Sequence, residues 1–208
     1  MSPNSIGSPK IDNLKIAFFG DFNYLLGVYR QRFQSVETPS EASPSDFLES
    51  WQGANTNYQL FGAVRRYAHE PLHCYRFEKW LRNGDSILEY GCGIAPISYS
   101  LLKYGKNRSL NITIADIPQI NSHFALWRLG NAVNFVKLVP YKHELPEKVY
   151  DVVFMITVLE HLPDPLPTLR SVTDSLKIGG TIVFDYIKGD GDGQDTLEAV
   201  DPLWSFHP

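Results

Sequence analysis

Cysteine is scarce in this chain: Cys74 and Cys92 are the only two among 208 residues. Two thiols make neither a disulfide scaffold nor a structural zinc site. Cys92 also stands between two glycines, where a disulfide would obstruct a ligand's approach. No apolar run reaches the roughly 18 residues that a membrane span needs. The opening segment, Met-Ser-Pro-Asn-Ser-Ile-Gly-Ser-Pro-Lys, lacks the apolar core of a signal peptide. An excess of basic charge is missing as well: 19 Lys and Arg face 23 Asp and Glu, a formal net charge of -4. That balance argues against broad electrostatic binding to nucleic acid. The expectation is a soluble, reduced, cytoplasmic protein, with neither a membrane nor a nucleic acid as partner.

What is present is an ordinary globular balance, 43% hydrophobic and 20% charged, with enough apolar material for a real core. The length suits one large domain with an extension. Residues 1–12 are polar and rich in Pro and Ser. Residues 14–19 read as a strand, and residues 22–33 carry apolar groups at helical spacing. A Pro/Ser-rich linker follows at 37–46. Residues 57–82 read as a long helical region broken or kinked at Pro71. Of the 4 Trp, 11 Tyr and 12 Phe, 14 fall within residues 18–80. Most of these rings suit an apolar face that packs on a sheet domain. The functional reading is a lid that closes over a site.

From residue 86 short Val- and Ile-rich strands alternate with helices. The strands are expected at 86–90, 111–116, 133–139, 151–156 and 180–187, and the helices near 95–105, 119–130 and 165–176. Asp164 is a good N-cap for the last helix, with Pro165 at its first position. Leu166, Leu169, Val172 and Leu176 read as its buried face. Repeated strand–helix–strand units predict an α/β fold: a doubly wound, mostly parallel sheet with helices on both faces, preceded by a mainly helical N-terminal extension. A ligand is then expected beyond the carboxyl ends of the strands.

The most informative stretch is residues 87–95, Ile-Leu-Glu-Tyr-Gly-Cys-Gly-Ile-Ala. An apolar run ends in a carboxylate and opens into two glycines one residue apart. Glycine supplies the positive φ and the missing Cβ that a close backbone approach requires. Pro96 follows, a residue favoured at the first helical position. The whole reads as strand, glycine loop and helix N-terminus, with free N–H groups expected to point at a bound anionic group.

Three further segments join this one: residues 114–118 (Ile-Ala-Asp-Ile-Pro), residues 150–165, which run from Tyr-Asp-Val-Val-Phe through Thr-Val-Leu-Glu-His to Asp-Pro, and residues 176–185 (Leu-Lys-Ile-Gly-Gly-Thr-Ile-Val-Phe-Asp). Together, in this order, they make residues 80–187 resemble a class I S-adenosylmethionine-dependent methyltransferase, whose core is a Rossmann-like sheet. The resemblance implies S-adenosyl-L-methionine as cofactor. It places Glu89, Gly91, Cys92 and Gly93 beneath the cofactor's methionine and ribose portions. It implies that Asp116, with Ile117 beside it, receives the ribose hydroxyls; the bland alternative for Asp116 is a helix N-cap. The loop holding Thr157 borders the cofactor, and His161 is the candidate general base, or else a residue that orients that loop. The family often carries an acidic residue after the third strand. Here Pro140 or Tyr141 stands in that place, and Tyr141 is the candidate for packing on the adenine face. Asp151 reads as a structural turn residue. The segment 190–195, Asp-Gly-Asp-Gly-Gln-Asp, fails the calcium-loop pattern at its sixth and twelfth positions and reads as a loop at the mouth of the sheet.

On this resemblance residues 1–56 form an extension with its linker. Residues 57–208 form the methyltransferase-like domain: a helical lid at 57–82, the core at 83–187 and a C-terminal loop at 188–208. The family's usual last strands are expected to be missing, and residues 14–19, from this chain or a dimer partner, are the candidate cover for the open edge. The leading expectation is methyl transfer to an oxygen or nitrogen of a small-molecule acceptor, with no metal. No Asn-Pro-Pro-Tyr segment follows the fourth strand, which lowers the case for a nucleobase amine or glutamine amide as acceptor. The alternative is a non-catalytic methyltransferase-like scaffold or regulator. A nicotinamide-dependent oxidoreductase is the poorest reading, because Pro96 stands where G-x-G-x-x-G needs its third glycine.

Overall fold

The computed structural model describes residues 60, 62–64, 77–105, 109–139, 145–162 and 164–185. The strand expected at 14–19, the helix at 22–33, the linker at 37–46, most of the region 57–82, Tyr141 and the loop 190–195 lie outside these residues. Five strands alternate with three helices: β1 (Ser86–Tyr90), α1 (Pro96–Tyr104), β2 (Asn111–Asp116), α2 (Ile120–Leu129), β3 (Asn134–Lys137), β4 (Tyr150–Met155), α3 (Pro165–Ser175) and β5 (Leu176–Phe184). All neighbouring strands run parallel, in the order β3-β2-β1-β4-β5.

Side chains of successive strand residues point to opposite faces, and here both faces are buried. Ile87, Ile112, Ile114, Val152 and Phe154 join one core, with Ile97 and Leu101 of α1 and Ala125 and Leu129 of α2. Leu88, Val153 and Met155 join the other, with Val172 of α3. This is why the strands read as continuous apolar runs rather than alternating ones. Full burial of each such side chain contributes about 1.5–3 kcal/mol before entropy is counted. The chain winds outward from β1 to β3, then crosses back to β4 and winds outward the other way to β5. Right-handed crossovers therefore place α1 and α2 on one face and α3 on the opposite one. The winding reverses between β1 and β4, so the loops leaving these strands diverge and open a crevice.

Three details differ from the sequence reading. The buried stripe of α3 is Pro165, Thr168, Val172 and Ser175. Leu169 and Leu176 flank it half-buried, and Leu166 is 46% exposed. β3 is shorter than expected, ending at Lys137. β5 begins at Leu176, directly after α3. Tyr150 pairs with Leu176 and Val152 with Thr181, so residues 177–180 stand opposite Asp151 alone. This is a bulge, and Gly179 turns within it at φ +81°. The Asp151 carboxylate pins it, accepting from Lys177 Nζ at 2.7 Å and from the Ser86 N–H at 2.8 Å. Asp151 is thus tied into the far end of the sheet from the crevice. Asp164 caps α3 by accepting from the Leu166 N–H at 3.1 Å.

Candidate active site

The loop leaving β1 is left-handed at every second residue: Gly91 at φ +62°, Gly93 at +51° and Ala95 at +52°. The two glycines do different work. A Cβ on Gly91 would lie 2.6 Å from Val158 Cγ2, because the loop after β4 packs against it across the switch point. A Cβ on Gly93 would meet nothing within 4 Å. Gly93 itself is half-buried, and open space at a missing Cβ is what a close-approaching ligand requires. Cys92 between them is buried and free, and its backbone N–H donates to Ala115 O at 3.0 Å, fastening the loop to β2. Burial, with the Asp116 and Glu89 carboxylates nearby, pushes its thiol well above the ordinary range. Cys92 therefore offers the crevice backbone, not a thiolate.

Glu89 points from β1 to the start of α1. Its carboxylate accepts from the Ile97 N–H at 3.1 Å, the Ser98 N–H at 2.7 Å and the Ser98 hydroxyl at 2.5 Å. Ala95, at the N-cap position, supplies no side-chain bond of its own. Glu89 thus acts as the cap from a neighbouring strand, answering donors that helix ends leave open. Pro96 has no N–H, the Ala95 N–H donates to Cys92 O at 2.6 Å, and the Gly93 N–H donates to Asp116. The expectation of free N–H groups aimed at an anion is corrected: this helix start is already satisfied from within. Burial pushes the Glu89 carboxyl up to about 7, against the pull of its bonds to Ser98 and Ile97.

Asp116 closes β2 at the same end of the sheet and is 5% exposed. Its Oδ2 accepts from the Gly93 N–H at 2.6 Å, and its Oδ1 from the Ile117 N–H at 2.7 Å and Gln119 Nε2 at 3.0 Å. Burial raises its carboxyl to about 6 while these bonds pull it down. Asp116 is not the N-cap of α2. That position is Gln119, whose N–H donates to Ser122 Oγ at 3.1 Å. Two carboxylates, Glu89 and Asp116, therefore brace the glycine loop from its two sides.

The β4 loop carries the other expected residues. Thr157 is left-handed at φ +53°, and its N–H donates to Asp185 Oδ1 at 2.5 Å. His161 ends a short 3-10 turn, Leu159–His161, half-buried, its N–H donating to Val158 O at 3.0 Å. Asp116, Ile117, Thr157 and the glycine loop thus all lie at the carboxyl end of the central strands. Tyr141 lies outside the described residues. Sequence reasoning missed three supports: Gln119 on Asp116, Asp185 on Thr157, and Arg128. The Arg128 guanidinium donates to the carbonyls of Ile94 and Ala95. Of these only Asp185 had a sequence signal, as the acid closing an apolar strand. Phe77, from the aromatic-rich region, packs its ring 5.2 Å from that of Phe154 and belongs to the core. Among the described residues no cluster of His, Cys, Asp and Glu could hold a metal ion, and no helix is long and apolar enough to cross a membrane.

Residues 58–205 match a family described as a methyltransferase domain. The chain is 31% identical over 103 residues to the ubiquinone biosynthesis O-methyltransferase of Aliivibrio fischeri, covering 49% of this chain and 43% of that protein. It is 28% identical over 121 residues to the tRNA U34 carboxymethyltransferase of Alteromonas mediterranea, covering 56% and 36%. These matches span less than half the length of the curated relatives. Among solved structures, an S-adenosylmethionine-dependent methyltransferase from Aquifex aeolicus superposes with a TM-score of 0.52 at 19% identity, covering 78% of this chain and 82% of that one. Phosphoethanolamine N-methyltransferase 2 of Haemonchus contortus, solved with S-adenosyl-L-methionine, gives 0.54 at 19% identity, covering 69% and 35%. At such identities the likeness is one of fold.

Proposed function

Since the chain belongs to the methyltransferase domain family, we propose that it transfers a methyl group from S-adenosyl-L-methionine to an oxygen or nitrogen of a small-molecule acceptor. The observation that carries this reading is the pairing of Gly93 with Asp116. The glycine has open space at its missing Cβ and donates its N–H to a carboxylate at the end of the adjacent strand. The residues present fit the cofactor. The Asp116 carboxylate closes β2 beside Gly93, and an ionised carboxylate is an acceptor only, the group to which a ribose hydroxyl donates. On this reading the Gly91, Cys92 and Gly93 backbone lies under the cofactor, with Ile117 and Thr157 at its edges and Tyr141 against its adenine. Glu89 contributes by holding the loop's exit into α1.

When bound, the cofactor supplies an already activated methyl group, so the protein's work is alignment and exclusion of water. His161 takes the proton released by the acceptor's O–H or N–H. On this reading the core of the domain spans 83–187. Among the described residues the sheet ends at β5, and a second copy of the chain covers that edge. Light scattering tests this dimer: the mass of a single chain removes it. A reducing cytoplasm suits the free Cys92 inside the loop.

A second reading has an observation of its own. The N–H donors at the start of α1 and both Asp116 oxygens are already engaged internally, so the loop is self-consistent as part of a non-catalytic scaffold. Thermal shift with S-adenosylmethionine, S-adenosylhomocysteine and NAD separates the readings, because a ligand of the folded state raises its melting temperature. A rise with either S-adenosyl compound is the expected result. No rise with either favours the scaffold, and a rise with NAD alone overturns both.

A further inference from the structure

We propose that Arg128 of α2 is a positioning residue for cofactor binding, acting through the carbonyls of the glycine loop. The inference rests on the S-adenosylmethionine reading of that loop. Arg128 is half-buried. Its Nη2 donates to Ile94 O and, at 3.3 Å, to Ala95 O, bridging 34 and 33 residues of chain. Its guanidinium carbon sits 4.1 Å from the centroid of the Tyr99 ring on α1 and 5.3 Å from that of Phe124 on its own helix. The side chain is therefore placed from three sides and cannot drift from the two carbonyls it serves.

Ala95 O also accepts from the Tyr99 N–H at 3.0 Å, so it is Ile94 O that leans most on the guanidinium. Ala95 is left-handed without being glycine, a conformation that persists only where surrounding contacts over-determine it. A cationic donor at the Ala95 and Ile94 oxygens holds the peptide planes on one side of the loop. The Gly93 N–H is thereby kept turned toward Asp116 on the other side. Only a planar guanidinium can stack on Tyr99 and donate to neighbouring carbonyls together; a lysine ammonium is a point charge with no face to stack. Arg128 donates to Ile94 O and Ala95 O and stacks on Tyr99 and Phe124, so its effect on a ligand passes through the loop.

The bland account is a packing staple between α1 and α2, which would move stability alone. Calorimetric titration of S-adenosylmethionine decides between them, using wild type, Arg128→Lys and Arg128→Ala, each shown by circular dichroism to be folded at the temperature used. Both variants are expected to bind about ten-fold more weakly or worse, since a bond from a charged donor suffices for one decade. Added guanidinium ion, at non-denaturing concentration, should restore affinity to Arg128→Ala. Wild-type affinity in either folded variant overturns the proposal. Should neither variant fold, wild-type protein still answers by nitrogen resonance spectroscopy. Separate Arg128 Nη signals that shift on adding S-adenosylmethionine are expected, and averaged signals indifferent to it overturn the idea. Failure of wild type itself to bind would instead sink the cofactor reading on which this one stands.

Discussion

Gly91→Ala should unfold this domain far more readily than Gly93→Ala, although both glycines are left-handed and lie two residues apart. At either site an alanine costs about 1–2 kcal/mol for its left-handed backbone. At Gly91 a second cost is added. The new Cβ lies 2.6 Å from Val158 Cγ2 and 3.0 Å from Cγ1, both inside contact distance. Val158 is β-branched and stiff at χ1, and it is buried in the second core, so it has nowhere to turn. Overpacking of this kind costs about 1–3 kcal/mol. The sum, roughly 2–5 kcal/mol, is a large share of the 5–15 kcal/mol that holds a typical domain together. For a chain of this size it lowers the melting temperature by roughly 2–4 °C per kcal/mol.

The assay is urea unfolding of Gly91→Ala, Val158→Ala and the double variant. Truncating Val158 removes both close methyls and leaves only Cβ, at an ordinary 3.4 Å. In that background the cost of Gly91→Ala should fall to the backbone share of about 1–2 kcal/mol. Equal cost in both backgrounds would refute the steric account. Gly93→Ala completes the test. Its Cβ meets nothing within 4 Å, so stability should fall only by the backbone share, while S-adenosylmethionine affinity drops sharply. A folded Gly93→Ala with unchanged affinity would mean that no ligand uses that space.

Glu89 makes stability pH-dependent. Burial lifts its folded carboxyl to about 7, above the ordinary carboxylate range, so its contribution is full below the unfolded value and is lost as pH rises through about 7. Melting temperature measured across this window should fall, and Glu89→Gln should flatten the slope; a slope as steep in the variant removes Glu89 as its source. Asp116→Asn keeps the shape of the side chain but turns one acceptor into a donor facing the Gly93, Ile117 or Gln119 donors. It should weaken S-adenosylmethionine binding more than ten-fold, and calorimetric titration showing wild-type affinity would remove the ribose role. Asp185→Ala frees the Thr157 N–H and should cost about 1–3 kcal/mol while raising proteolysis in the β4 loop. A protected loop in limited proteolysis would show that Asp185 does not hold it.

The sheet was legible because its signals are local. Each strand is a short apolar run, Pro165 and Asp164 announce α3, and two glycines announce the turn after β1. The strand order then follows from crossover handedness, which no single residue records but which every parallel unit obeys. The bulge of β5 has no local signal beyond Gly179 and Gly180, since the Asp151 carboxylate that holds Lys177 lies 26 residues away. The same distance in sequence hid the braces of the site. Glu89 was read as facing a ligand because a carboxylate before a glycine loop has two uses, and only the closing of α1 onto β1 selects the cap. Arg128 had no signal, since a lone basic residue near a helix C-terminus ordinarily serves the helix dipole. Its partners, the Ile94 and Ala95 carbonyls, are brought to it by the packing of α1 and α2 on one face. The glycine loop is therefore locally written but globally held: its conformation depends on Glu89, Asp116 and Arg128 from three different elements, so loss of any one should loosen the same five residues.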